Sequence, residues 1–383
     1  MEATTLAKLN LMPDITWHFL RMNHTEAQLP EVQRAPAGAI DVDAAQNGAV
    51  TVITAQADNG AFDAALAGYD KAVEQWETAN GPEAAAWLTQ ACTRQVVLEV
   101  PKGAIAEDLT VRLDAAGGCA TVAQVDVIAH ENARATVNVT VDSPNPGTGV
   151  VGVFLRVLAE ENARVQVRVQ QTLDATWQYL ENLSFYEAAD ARVKLTQIEL
   201  GAAESYVGAA VNLAGDRSDV DIDTRYLGNG RRTLDFNHVI RQRGLSTTSE
   251  FIANGVLTDE SQKTLRGTID LIHGCKGSVG DERETVLLSD DRVRNKTVPI
   301  ILCDEDDVQG NHGATIGHVN EDHLHYLESR GLDEEQAQAL FAQALFDHAA
   351  DEAADEDAVR AIDRLAVTVL GHPTGEWSEE GGR

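Results

Sequence analysis

The chain has 383 residues, of which 43% are hydrophobic and 24% charged, and it carries a formal net charge of −31. This is the composition of a globular protein with a sizeable core and excludes global disorder. The acidity argues against nucleic acid or an anionic membrane as the main partner, since both call for a basic surface.

No stretch approaches the roughly 20 apolar residues of a membrane span. Glu2, Lys8, Asn10, Pro13 and Asp14 interrupt the apolar run that a secretory signal would need. A cytoplasmic location is expected. The four cysteines (Cys92, Cys119, Cys275 and Cys303) stand far apart with no CxxC pair. They form neither a disulfide framework nor a standalone zinc or ferredoxin-type site, and read as small side chains in a reducing compartment.

The first zone, residues 1–95, reads as a small α/β region. Residues 15–20 could open either a helix or an extended arm. Ala65, Leu66, Tyr69, Ala72, Val73 and Trp76 fall at helical spacing. Gly81-Pro82 marks a turn before a further Ala-rich helix.

The second zone, residues 96–318, alternates apolar and polar residues almost throughout. Ala135-Thr136-Val137-Asn138-Val139-Thr140-Val141 and Val165-Gln166-Val167-Arg168-Val169 are the clearest cases. β-branched residues at every second position predict strands with one face buried. Glu131-Asn132-Ala133-Arg134 recurs 30 residues later as Glu161-Asn162-Ala163-Arg164, and Asp190-Ala191-Arg192 is a weaker third copy. A repeat of this length, with no helix inside it, predicts stacked coils of short strands. A parallel β-helix fits best; a β-sandwich would place turns every 8–12 residues or so and leave the echo unexplained.

The third zone, residues 319–383, reads as a C-terminal helical domain. Asp333-Glu334-Glu335-Gln336 has the form of a capping box. Ala337, Leu340, Phe341, Ala344 and Leu345 follow on one helical face. Val359, Ile362, Leu365, Ala366 and Val369 line a second helix, ended by Gly371 and Pro373. The fold class expected is therefore mostly β: a right-handed parallel β-helix between a small N-terminal α/β region and C-terminal helices.

At the join of the second and third zones stands Asp304-Glu305-Asp306-Asp307-Val308-Gln309-Gly310-Asn311-His312-Gly313-Ala314-Thr315-Ile316-Gly317. His325-Tyr326-Leu327-Glu328-Ser329-Arg330-Gly331-Leu332 comes shortly after. With the Thr297-Val298-Pro299 strand start, this run over residues 296–345 resembles the C-terminal signature of the SufB/SufD family of iron–sulfur cluster assembly proteins, on the SufD side. The resemblance implies a non-catalytic scaffold that binds no ATP itself. It would pair through the last coils of the β-helix with a SufB-type subunit, or with a second copy of itself, and dock a SufC-type ABC ATPase on its C-terminal helices.

The resemblance also assigns residues. His312 corresponds to the family's interface histidine, a candidate ligand for iron or a transient iron–sulfur cluster, and neutral imidazole suits iron. Cys303, nine residues earlier, is a weaker candidate ligand. The docking surface would begin near Asn320, with Tyr326 and Leu327 as apolar anchors, Arg330 and Gly331 beside them, and Leu340 and Phe341 behind.

Two positions depart from the family pattern. Glu284 stands where SufB proteins carry a sulfur-handling cysteine, and Gly310 where many SufD proteins carry one. Sulfur acceptance is therefore expected of a SufB-type partner, and the short first zone leaves open the flavin or persulfide handling that larger family members show.

Plainer readings exist for several features. His318, His323 and His325 crowd together, but His323 and His325 are two apart and cannot share a helix face. The acidic run 304–307 reads as charge guarding the edge of the last coil, and the cluster 351–357 as a solvated linker. One rival function is a carbohydrate-active β-helix enzyme, for which Asp219, Asp221 and Asp223 share one strand face. Another is an adaptor that binds the ATPase without handling iron.

Overall fold

A computed structural model describes residues 1–14, 22–44, 51–55, 60–317, 325–327, 329–332 and 334–375. Residues 15–20, His318, His323 and Asp333 lie outside the described residues. The chain forms a parallel β-solenoid of about 8 turns with helices at its C-terminal end. Successive strands fall alternately into two sheets, so each coil gives one strand to each.

Strands β9 (Arg134–Asp142), β11 (Arg164–Thr172), β13 (Arg192–Glu199), β15 (Asp219–Gly228) and β17 (Thr248–Leu257) run through one sheet. Strands β8 (Cys119–Ala129), β10 (Gly149–Ala159), β12 (Trp177–Glu187), β14 (Glu204–Leu213), β16 (Thr233–Gln242) and β18 (Gln262–Leu271) run through the other.

The echo in the sequence is the corner between the sheets. Asn132, Asn162 and Asp190 adopt positive φ of 60°, 56° and 58°, a conformation that Asn and Asp tolerate better than other non-glycine residues. The N–H of each donates to a carbonyl of the following coil: Asn132 to Glu161, Asn162 to Ala189 and Asp190 to Asp216. Asn162 also donates its amide to Asn132 Oδ1 at 2.6 Å. The small residue that follows, Ala133, Ala163 or Ala191, is fully buried beneath the corner. Arg134 then pairs with Arg164, and Arg164 with Arg192, fixing the register at the repeat offset.

Alternate residues fill the lumen. In the first coils these are apolar, among them Val125, Val127, Val137, Val139, Val153 and Val167. From β12 onward polar groups enter the same positions. Tyr179 donates to Glu181 at 2.5 Å and Gln197 donates to the other Glu181 oxygen at 2.6 Å. Gln197 Oε1 in turn accepts from Thr224 at 2.8 Å and faces His238 Nε2 at 2.7 Å. Burial, then the charge of Glu181, drives Glu199 well above the carboxylate range.

The N-terminal region wraps the first coils. The hairpin of β1 (Thr4–Leu9) and β2 (Thr25–Leu29) packs with helix α3 (Pro82–Ala91) against one sheet. The helical reading of residues 62–92 corresponds to α1 (Ala61–Ala67), α2 (Asp70–Gln75) and α3, with Pro82 in the first turn of α3. A buried latch ties this region to the later coils: Asn10 and Arg266 both donate to Asp235, and Arg266 also donates to the Met22 carbonyl.

Two C-terminal helices, α4 (Glu334–Asp351) and α5 (Glu356–Leu370), cover part of the other sheet. Phe346, Ile362 and Leu365 pack on Ile198, Leu200 and Leu227. The acidic linker is structural in part. Asp355 caps α5 by accepting from the N–H groups of Asp357 and Ala358, and it pairs with Arg112 at 2.6 Å. Among the described residues no helix is long and apolar enough to cross a membrane.

Candidate functional site

The solenoid ends on two open rungs. Strand β19 (Val279–Leu288) is covered on one side by β21 (Gln309–Gly317), and β18 by β20 (Arg294–Cys303). Neither β20 nor β21 has a further strand beyond it among the described residues. Such an edge presents unpaired N–H and C=O groups to any strand that can add to it. Every residue of β21 up to Ile316 is exposed, and Ile316 itself leaves 45% of its surface open.

His312 sits in the middle of β21, in register with Glu282 of β19. Residues in register on neighbouring strands project to the same side, so His312 stands on the lumen side at the mouth of the solenoid. Directly below it lies a buried charged cluster. Lys263 Nζ is bonded to Glu284 Oε1, which also accepts from Tyr226 OH at 2.8 Å; Thr297 donates to Glu284 Oε2 at 2.6 Å. Burial pushes Glu282 up to about 8, the charge of Glu284 adds to the rise, and Lys263 opposes it. Burial also pulls the Lys263 ammonium down, against the pull of Glu284. Gly267 makes room for this cluster, because a Cβ there would lie 2.0 Å from Glu282 Oε1.

Glu284, where the family's SufB members carry cysteine, is thus a fully engaged carboxylate one rung beneath Ala314. A Cβ at Gly310 would lie 3.0 Å from Ile301 and 3.3 Å from Leu271, so a side chain there would need these two to give by a few tenths of an ångström or so. Cys303 ends β20, exposed, with its thiol donating to the Glu305 carbonyl at 3.2 Å. It closes one sheet while His312 closes the other, so the two candidate ligands occupy different edges. Among the described residues no group of three or more His, Cys, Asp and Glu side chains is placed to hold a metal ion. The acidic run between the edges closes the last turn: Glu305 accepts from Gly274 N–H, and the Asp307 carbonyl from Gly277 N–H.

The expected docking residues are only partly gathered. Tyr326 is 57% exposed, and the Arg330 guanidinium lies 5.1 Å from its ring centre, within cation–π range. Leu327 is half-buried, and its carbonyl accepts from the N–H groups of Arg330 and Leu332 around Gly331, whose φ is 96°. Leu340 is half-buried. Phe341 packs with the α4–α5 cluster on the sheet, so it supports the helices from inside. His325 is exposed.

Sequence reasoning missed Lys263, Glu282 and Tyr226. The available signal was phase: in Val279-Gly280-Asp281-Glu282-Arg283-Glu284-Thr285-Val286, the glutamates fall on the positions that are apolar in earlier strands.

Comparison with known proteins accords with this architecture. The family described as "SUF system FeS cluster assembly, SufBD core domain" matches residues 111–345. The iron-sulfur cluster assembly protein SufD of Bacillus subtilis is 26% identical over 216 residues, covering 56% of this chain and 49% of that protein. An iron-sulfur cluster assembly SufBD family protein of Pyrococcus horikoshii is 28% identical over 187 residues, covering 48% and 41%. One from Synechocystis is 24% identical over 185 residues, covering 48% and 38%. The chain spans about half, or less, of the length of these relatives. With the family's core domain matched over more than half its length, on a parallel solenoid ending in helices, the chain belongs to the SufBD family of iron–sulfur cluster assembly proteins.

Proposed function

We propose that this chain is a non-catalytic scaffold subunit of a cytoplasmic Suf complex, pairing through the open rungs of its solenoid with a SufB-type subunit or a second copy. The observation that carries the reading is the uncovered edge strand β21, with His312 at the solenoid mouth. On this reading the C-terminal helices dock a SufC-type ATPase, with Tyr326, Leu327 and Arg330 on the outer surface and Leu340 and Phe341 behind them. Iron, or a cluster in transit, is cargo at the paired edges. His312 supplies one nitrogen ligand and the partner strand the rest. Sulfur enters from the partner, because Glu284 is held by Lys263, Tyr226 and Thr297 and no thiol stands there.

The enzyme reading finds no support in the geometry. Asp223 is paired with Arg225, and Asp219 and Asp221 lie in register with Arg192 and Lys194 on an open sheet face. The test is anaerobic iron loading of the complex co-expressed with SufB-type and SufC-type partners. His312→Ala should assemble as the wild type does and lose bound iron. Assembly with unchanged iron would leave the adaptor reading in its place.

A further inference from the structure

On the sheet that carries α4 and α5, the helices cover one end of the strands; the other end is open. Three arginines stand there in one column, Arg134, Arg164 and Arg192, each in register with the next and each exposed. Lys194 lies beside the column, and the four line a shallow groove of about 320 Å³. Like charges directly opposite on neighbouring strands repel. Elsewhere on this surface exposed arginines meet carboxylates: Arg217 pairs with Asp190, Arg231 with Glu260 and Arg292 with Asp290. The chain has 61 acidic residues against 30 basic ones, yet among the described residues none forms an ion pair with the column. Arg192 has a carboxylate, Asp219, in register on the next strand, while Arg134 and Arg164 have none in register with them. Ile105, in register with Arg134 and 51% exposed, adds an apolar contact at the column's end.

From this column we infer that the face docks a helix of a protein partner bearing a row of carboxylates. Strands stack about 4.8 Å apart, and side chains three or four apart on a helix stand about 5–6 Å apart. An acidic helix lying along the solenoid axis therefore offers one carboxylate per rung, in the geometry that arginine grips with two hydrogen bonds. Nucleic acid fits less well. Asp219 and Asp221 close the lower end of the groove, Glu107 lines it too, and a long polyanion would run on into them and into a surface of net charge −31.

The test uses the full chain and a fluorescent Ala-based helical peptide with Glu at i, i+4 and i+7, one per rung, against its Gln counterpart, read by anisotropy. Two triple variants of equal charge change are compared after circular dichroism shows both folded: Arg134→Gln/Arg164→Gln/Arg192→Gln, and Arg217→Gln/Arg231→Gln/Arg292→Gln. The column variant should bind the Glu peptide about tenfold or more weakly, each exposed pair contributing a few-fold. The control should retain binding, and the effect should shrink with added salt. Equal loss in both variants, no binding by the wild-type chain, or tighter binding of a uridine homopolymer than of the Glu peptide would each overturn the inference.

Discussion

His238 makes the solenoid acid-sensitive by a definable amount. Its ring is fully buried in the lumen, stacked 4.5 Å from Phe251, with Nε2 on Gln197 Oε1 and Nδ1 without a partner. Gln197 Oε1 is an acceptor, so Nε2 carries the hydrogen and the ring is neutral. Protonation would place a charge and an unmatched N–H donor in the lumen, and burial accordingly depresses the pKa from 6.5 to about 3. The unfolded chain takes up this proton near 6.5 while the folded chain refuses it, so the contribution is complete above 6.5 and is lost as pH falls toward 3. The slope is about 1.4 kcal/mol per pH unit, or about 2 kcal/mol between pH 6.5 and 5. In His238→Phe the ring stacking is kept, and Gln197 Oε1 retains Thr224 as donor. Urea midpoints at pH 7.5, 6 and 5, read from fluorescence, should show the variant losing less stability than the wild type on acidification. Parallel curves across that range would refute the argument, because every other titrating group is common to both proteins.

Other perturbations test the corners and the lumen. Asn162→Val puts a β-branched residue at φ 56° and removes the side-chain hydrogen bond donated to Asn132; it should cost about 1–3 kcal/mol in urea unfolding, and Asn162→Gly clearly less. Lys263→Met leaves Glu284 buried without its counter-charge and should destabilise by about 3–5 kcal/mol, while Lys263→Met/Glu284→Leu should recover most of the loss in the same assay. Gly267→Ala drives a methyl into the Glu282 carboxyl and should lower the thermal midpoint, an overpacking cost of about 1–3 kcal/mol.

The coils were legible because their physics is local. Val137, Val139, Val165 and Val167 alternate with polar neighbours, and Asn132 and Asn162 recur where the backbone needs positive φ. The polar lumen was missed although the phase of its strands marks it, since the partners that make Glu181 and Glu284 tolerable inside, Gln197, Lys263 and Tyr226, come from other coils. The N-terminal hairpin was not legible for a similar reason: its short strands are stabilised by α3 and by coils more than 100 residues away, as with Asn10 on Asp235. Asp355 read as part of a solvated linker because its two contacts, the cap of α5 and the ion pair to Arg112, depend on where that helix lands. At the solenoid mouth His312 was visible only through the motif around it, and Phe341, placed on the docking side by that motif, turns inward to the helix cluster.

The proposed pairing surface is the open last rung, β21. Light scattering on the chain co-expressed with SufB-type and SufC-type partners tests it most directly, comparing wild type with Ala314→Pro, which removes an N–H from the edge strand. The wild-type chain should give the mass of a paired scaffold carrying ATPase. The variant, folded by circular dichroism, should give unpaired subunits that still bind the ATPase. A variant that pairs as the wild type does would contradict the claim.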